Sequence, residues 1–161
     1  MNKRMVFAGV GGQGIVLATR LIGITLTRLG VPVISTENHG MATRGGSVLA
    51  FLKTGNYHSP LICYGEADVA VILHPDESGK VEPYLNRKTF TVAYGMEKPT
   101  LDLKKILEKK DVHPKLMNVV AVGAILKHLG IDLHEGLKSL EHLGKNNDSN
   151  IKALEIGYTE A

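Results

Sequence analysis

One cysteine, Cys63, stands in 161 residues, and tryptophan is absent. A single thiol closes no internal disulfide and cannot alone hold an iron–sulfur cluster. A reducing, cytoplasmic compartment is therefore the expected setting. Aromatic residues make up 5% of the chain, too few to expect platforms on which bases stack. The formal net charge is only +3, and the lysines spread along the second half without a dense basic block. Nucleic acid is thus not an expected partner. Long hydrophobic runs are also missing. Arg20 and Arg28 interrupt the longest one, short of the ~18 residues that a membrane span needs. The basic start, Met1-Asn2-Lys3-Arg4, leads into a glycine loop and not an uninterrupted apolar region. It reads as mature protein, not as a signal peptide.

What is present suits a packed domain. Hydrophobic residues reach 43% and charged residues 22%, which favours neither disorder nor membrane residence. A chain of this size can bury roughly 70% of its unfolded surface. No linker or internal repeat divides it, so residues 1–161 are expected to form one domain.

The apolar pattern alternates between short strands and helices. Met5–Ala8 reads as a central strand ending at Gly9, and Ile15–Leu29 as a helix stopped by Gly30. Val31–Ser35, Ser47–Leu52, Asp68–Leu73 and Thr89–Tyr94 follow as strands, with a helix from Pro75 to about Leu85. The helices Leu101–Lys110, Asn118–Leu129, Asp132–Leu143 and Asn147–Gly157 make the last third helical. Such alternation predicts a doubly wound, mainly parallel sheet in a three-layer, Rossmann-like α/β fold. Ligands of that fold bind outside the carboxyl ends of its strands.

Two segments converge on that region. Gly9-Val10-Gly11-Gly12-Gln13-Gly14 joins the first strand to the first helix with G-x-G-x-x-G spacing. Glycine permits positive φ and close approach of a phosphate, and the helix start supplies unpaired N–H groups. Gln13 adds a side-chain amide. The alternative is that the glycines only let strand and helix pack closely. A nicotinamide dinucleotide would want an acidic residue roughly 20 residues on, and Glu37 stands near that place. An independent NAD(P)-dependent dehydrogenase module is therefore the competing reading.

The second segment, Glu37 to Val48, sets Glu37, His39 and Arg44 beside Gly40, Gly45 and Gly46. Arg44 can grip a phosphate or carboxylate through two N–H groups, and His39 can donate to an anion. Gly45 and Gly46 free the backbone beside them for close approach. Equally, Arg44 could pair with Glu37 while His39 satisfies a carbonyl.

Together, Gly9–Gly14 and His39-Gly40-Met41-Ala42-Thr43-Arg44-Gly45-Gly46-Ser47-Val48 resemble the gamma subunit of 2-oxoacid:ferredoxin oxidoreductases. The His-Gly-Met form is most similar to the indolepyruvate oxidoreductase beta-subunit branch; pyruvate-type subunits more often have Tyr-Gly-Pro there. Asn118–Ala124 and Asn150–Tyr158 agree with the family, so the resemblance covers nearly the whole chain. It implies a subunit of a complex that oxidatively decarboxylates a 2-oxoacid, indolepyruvate or pyruvate among the candidates. The products would be acyl-coenzyme A and electrons for ferredoxin. It further implies thiamine-binding and ferredoxin-like partner subunits carrying thiamine diphosphate, magnesium and the iron–sulfur clusters. No Gly-Asp-Gly thiamine segment occurs in this chain.

The isolated chain is accordingly expected to be inactive, with no catalytic residue, no metal ligand and no firmly bound cofactor of its own. Coenzyme A is its candidate ligand, at Gly9, Gly11, Gly12, Gln13, Gly14, His39, Arg44, Gly45 and Gly46. A homo-oligomer is an open alternative for the chain alone. Among other residues, Asn118 reads as a helix cap, Gly123 as a close-packing glycine and Cys63 as core or semi-buried. His74 reads as a strand-end histidine, and Lys104, Lys105, Lys109 and Lys110 as a solvated helix face.

Overall fold

Met5, Val6, Phe7 and Ala8 are entirely buried, as a continuous apolar run in a central strand should be. They lie in β1 (Lys3–Val10), which runs through Gly9 into α1 (Ile15–Arg28). The computed structural model describes residues 1–40 and 45–161. Its other strands are β2 (Val33–His39), β3 (Ser47–Thr54), β4 (Val69–Ile72), β5 (Phe90–Ala93) and β6 (Leu101–Asp102). The remaining helices are α2 (Ser78–Val81), α3 (Leu103–Lys110), α4 (Met117–His128), α5 (Leu133–His142) and α6 (Asp148–Glu160).

One sheet holds all six strands in the order β2-β3-β1-β4-β5-β6. The ladders β1–β4, β4–β5 and β5–β6 are parallel, whereas β3 runs antiparallel to both β1 and β2. The reversal follows from chain length. Only residues 40–46 join β2 to β3, and a parallel return needs a crossover of a dozen or more residues. The sheet is thus mainly parallel, as expected, with one hairpin inserted beside its central strand.

The two faces are covered unequally. Helices α1, α3, α4, α5 and α6 lie over Met5, Phe7, Val69, Val71 and Val92. The opposite face, with Val6, Ala8, Phe51, Ala70 and Ile72, meets Ile62, Val81, Tyr84 and Leu85. That back layer is where a helix from Pro75 to Leu85 was expected. Instead, 3-10 turns at Pro75–Glu77 and Glu82–Tyr84 flank the four residues of α2. Pro83 explains the interruption, because it lacks the N–H that a continuous helix from Pro75 would use there.

Two other boundaries moved for local reasons. Pro32 cannot donate to a ladder, and β2 starts after it and extends to His39. Glu37, Asn38 and His39 are exposed, which an edge strand tolerates. Leu101 and Asp102 first pair with Val92 and Ala93; Asp102 then caps α3 by accepting from Lys105 N at 3.3 Å.

Helix α4 is buried from Met117 to Leu126, a helix apolar all round at the centre of its layer. It crosses α6 at backbone contact. A Cβ on Gly123 would run into Leu154 O and lie 2.8 Å from Tyr158 N. A Cβ on Gly157 would run into Val120 O and lie 2.7 Å from that residue's carbonyl carbon. The expected close-packing role of Gly123 is therefore the observed one.

Candidate functional site

The glycine loop leaves the carboxyl end of β1 and turns into α1 through two left-handed glycines, Gly12 (φ 93°) and Gly14 (φ 80°). Side chains are excluded at specific places. A Cβ on Gly9 would sit 2.9 Å from Gln13 Oε1, and one on Gly14 would strike the Asn118 amide. Gly9 is buried inside the β1–β3 ladder opposite Val48, so its contribution is close packing and not a ligand surface. Gln13 is likewise engaged within the protein. Its Oε1 accepts from Val10 N at 2.8 Å and its Nε2 donates to Leu73 O at 2.9 Å. The side chain that looked available for a ligand instead ties the loop to the end of β4.

Accounting for the N–H groups shows what the loop can do. Gly11 N donates to Gly46 O at 2.7 Å, and Gln13 N to Val10 O at 3.1 Å. The N–H groups of Gly12, Gly14, Ile15, Val16 and Leu17 find no acceptor among the described residues. No side chain caps α1, and its first turn carries no acidic residue. These donors sit at the positive end of a 14-residue helix, an arrangement that attracts anions. Gly11, Gly12, Gly14, Ile15 and Val16 line an open cavity of about 350 Å³ together with His39 and Val48.

The second segment meets the first there. Gly40 N donates to Ser47 O at 2.7 Å, closing the hairpin, and Gly45 takes a φ of 71°. A Cβ on Gly11 would lie 3.3 Å from Gly45 N, so these two backbones approach each other closely. His39 is exposed and lies 3.6 Å from Glu37 through Nε2. Arg44 lies outside the described residues, and with it the expectations placed on its guanidinium.

Glu37 does not line the glycine-loop cavity. Its Oε1 accepts from Thr19 Oγ1 at 3.3 Å, beside a separate groove of about 530 Å³ between α1 and β2. In a dinucleotide fold the acidic strand neighbours the first strand, but here β3 lies between them. The dehydrogenase reading thereby loses the residue that motivated it.

Two residues behind the loop, Glu77 and Lys80, escaped the sequence reading, and a third, Asn118, was read only as a helix cap. Glu77 is 5% exposed; it accepts from Ser47 Oγ at 2.5 Å and from Lys80 Nζ at 3.0 Å. Burial pushes its carboxyl up, but Ser47 and Lys80 together outweigh this and hold it below its ordinary value. Asn118 is the third. It is the second residue of α4 and not its cap; it donates through Nδ2 to Gly14 O at 3.2 Å. Its Oδ1 has no hydrogen-bond partner among the described residues. A conspicuous polar residue at the start of an apolar helix was the available signal.

Other single-residue expectations divide. His74 lies two residues past β4 and caps the Pro75–Glu77 turn, accepting from Asp76 N at 3.3 Å. Cys63 is exposed and not buried. Lys109 and Lys110 are more than a solvated face, because both reach Glu160, at 3.0 and 2.9 Å. No group of three His, Cys, Asp or Glu side chains suited to a metal occurs among the described residues. No helix of the described residues is long and apolar enough to cross a membrane.

Known proteins resemble this chain in sequence and fold. The indolepyruvate oxidoreductase subunit IorB of Archaeoglobus fulgidus is 32% identical, over all of this chain and 96% of its own length. The pyruvate oxidoreductase subunit PORC of Thermotoga maritima superposes with a TM-score of 0.76 at 19% identity, covering 99% and 96% of the two chains. The 2-oxoglutarate:ferredoxin oxidoreductase of Magnetococcus marinus, solved with 2-oxoglutarate, coenzyme A and succinyl-CoA bound, gives a TM-score of 0.78 at 17% identity. There, 99% of this chain matches 31% of the longer polypeptide. Residues 4–160 match the family described as pyruvate ferredoxin/flavodoxin oxidoreductase, and the chain belongs to that family.

Proposed function

We propose that residues 1–161 are the single gamma-type domain of a cytoplasmic 2-oxoacid:ferredoxin oxidoreductase, and that the glycine-loop cavity receives the pyrophosphate of coenzyme A. Indolepyruvate is the favoured oxoacid, because the IorB relative matches this chain along nearly its full length. Thiamine diphosphate, magnesium and iron–sulfur clusters would reside on thiamine-binding and ferredoxin-like partner subunits, with ferredoxin the electron acceptor. Gly11, Gly12 and Gly14 would face the anion, His39 would add a donor, and Gly45 and Gly46 would allow close approach. Arg44 stands in the same segment as a candidate second grip. Gly9 and Gln13 would shape the loop and not touch the ligand.

The observation carrying the reading is the set of five N–H groups without acceptors among the described residues, at the uncapped start of α1, beside a cavity that His39 helps to line. Calorimetry on the subunit reconstituted with its thiamine-binding partner tests it. Gly12→Asp puts a carboxylate among those donors and a Cβ where φ is 93°. Coenzyme A affinity should fall at least about tenfold, equivalent to roughly 1.4 kcal/mol. Unchanged affinity, or tight binding of NADH in place of coenzyme A, refutes the assignment.

A further inference from the structure

Glu77 is a charged group where the fold alone asks for none. Its backbone belongs to the back layer, in the turn Pro75–Glu77, yet its side chain is aimed at the first residue of β3. Ser47 Oγ donates to Glu77 Oε2 at 2.5 Å and accepts from Lys80 Nζ at 2.6 Å. Lys80 Nζ closes the triangle on both carboxylate oxygens, at 3.2 and 3.0 Å. The hydroxyl is therefore fully used, and its orientation is set from behind. The pair joins a buried carboxylate to a half-exposed ammonium; such a pair adds little to stability, but it restrains the geometry of the hydroxyl it surrounds.

What it fixes can be traced bond by bond. The carbonyl of Ser47 accepts from Gly40 N at 2.7 Å, and that of Gly46 accepts from Gly11 N at 2.7 Å. Glycine loop, end of β2 and start of β3 thus converge on two consecutive carbonyls, and the residue carrying one of them is anchored to Glu77 and Lys80. Val48 is packed into the core beside Ser47, but Gly11, Gly40, Gly45 and Gly46 supply only backbone to the junction. Glycine brings conformational freedom along with close approach, so the junction needs an external anchor.

We propose that Glu77 and Lys80 are positioning residues of the glycine-loop site: acting through Ser47, they hold the Gly46 and Ser47 carbonyls where Gly11 and Gly40 donate, and so set the orientation of the loop's free N–H groups. The identity of the anion rests on the function proposed above; the positioning does not.

Amide hydrogen exchange on the full chain, without ligand, decides it. In Glu77→Gln, and separately in Lys80→Met, the Gly11 and Gly40 amides should exchange about tenfold faster, reflecting local opening. Val122 and Ala124 in α4 should stay within about twofold of the parent. Ser47→Thr, which keeps the hydroxyl, should preserve the slow exchange, and Ser47→Ala should lose it. Unchanged exchange at Gly11 and Gly40 overturns the proposal. So does equal acceleration in α4, because the cluster would then be a general stabiliser. Coenzyme A titration of the same variants in the reconstituted complex is the second readout. If the parent protein binds coenzyme A and Glu77→Gln binds it equally, the site does not depend on this anchor and the proposal falls. If the parent does not bind it, the ligand assignment falls, and the exchange data alone judge the anchor.

Discussion

Replacing Gly157 by alanine tests whether α4 and α6 are packed at the closest spacing that two backbones allow. The added Cβ would lie 2.7 Å from the Val120 carbonyl carbon and 3.0 Å from its Cα, with the carbonyl oxygen nearer still. Ordinary contact begins at 3.4 Å, so the helices must part by at least about 0.7 Å there. No rotamer change can relieve this, because the obstacle is main chain. Overpacking costs typically ~1–3 kcal/mol. The oxygen clash places this site in the upper part of that range, while alanine returns about 1 kcal/mol of helix propensity. A net loss of about 2 kcal/mol follows, or roughly 4–8 °C in Tm for a domain of this size. Gly123→Ala should cost a similar amount through Leu154 and Tyr158. Because the same separation of α4 from α6 relieves both clashes, the double variant should lose about 1 kcal/mol less than the sum of the singles. Gly79→Ala is the control: its Cβ meets open space and its φ is unstrained, so its midpoint should hold or rise slightly. Urea unfolding followed by circular dichroism measures all four. A Gly157→Ala midpoint equal to that of the parent, or strict additivity of the pair, refutes the argument.

Two further outcomes follow from the geometry. Gln13→Ala removes the acceptor for Val10 N and the donor to Leu73 O; at about 1 kcal/mol per bond it should cost about 2 kcal/mol in urea unfolding. His128 stacks on Phe90 with centroids 4.0 Å apart, and burial first, then Lys3, lowers its pKa from the ordinary 6.5. The folded protein therefore binds this proton less readily than the unfolded chain does, so the contribution is complete above pH 6.5 and is lost as pH falls through the lowered value. The urea midpoint of the parent should drop more between pH 7.5 and 5.5 than that of His128→Phe; equal drops would dismiss the linkage.

What could be read from the sequence was whatever depends on neighbours along the chain. Met5–Ala8 as a buried strand and Ile15 onward as a helix follow from local apolar spacing, and the two glycine motifs identified the crevice that the structure closes around them. Gly123 could be read because a glycine in an apolar helix has few other uses. Glu77 could not, because its burial depends on Ser47, 30 positions away, and an acidic residue in the first turn of an expected helix reads as solvated. Asn118 was read as a cap for the same reason: Gly14 is 104 positions away. The polar end of β2 was read as loop because alternation marks strands with a buried face, whereas Glu37, Asn38 and His39 are held by β3 through backbone bonds alone. Lys109 and Lys110 were read as solvated for want of Glu160, which only the fold brings near.

The reversed direction of β3 has a consequence for how such subunits can diverge. Because the hairpin turns at the crevice, residues 40–46 are flanked by wall residues on both sides, His39 on one and Val48 on the other. An exposed side chain carries little of the packing that holds a fold. Substitution at His39, which is exposed, can therefore redraw one wall of the cavity while Met5–Ala8 and its ladders stay untouched. Gly40, Gly46 and Ser47, whose backbones close the junction, are by contrast held in place, so lineages of this fold should differ at that wall side chain before they differ in the backbone that carries it.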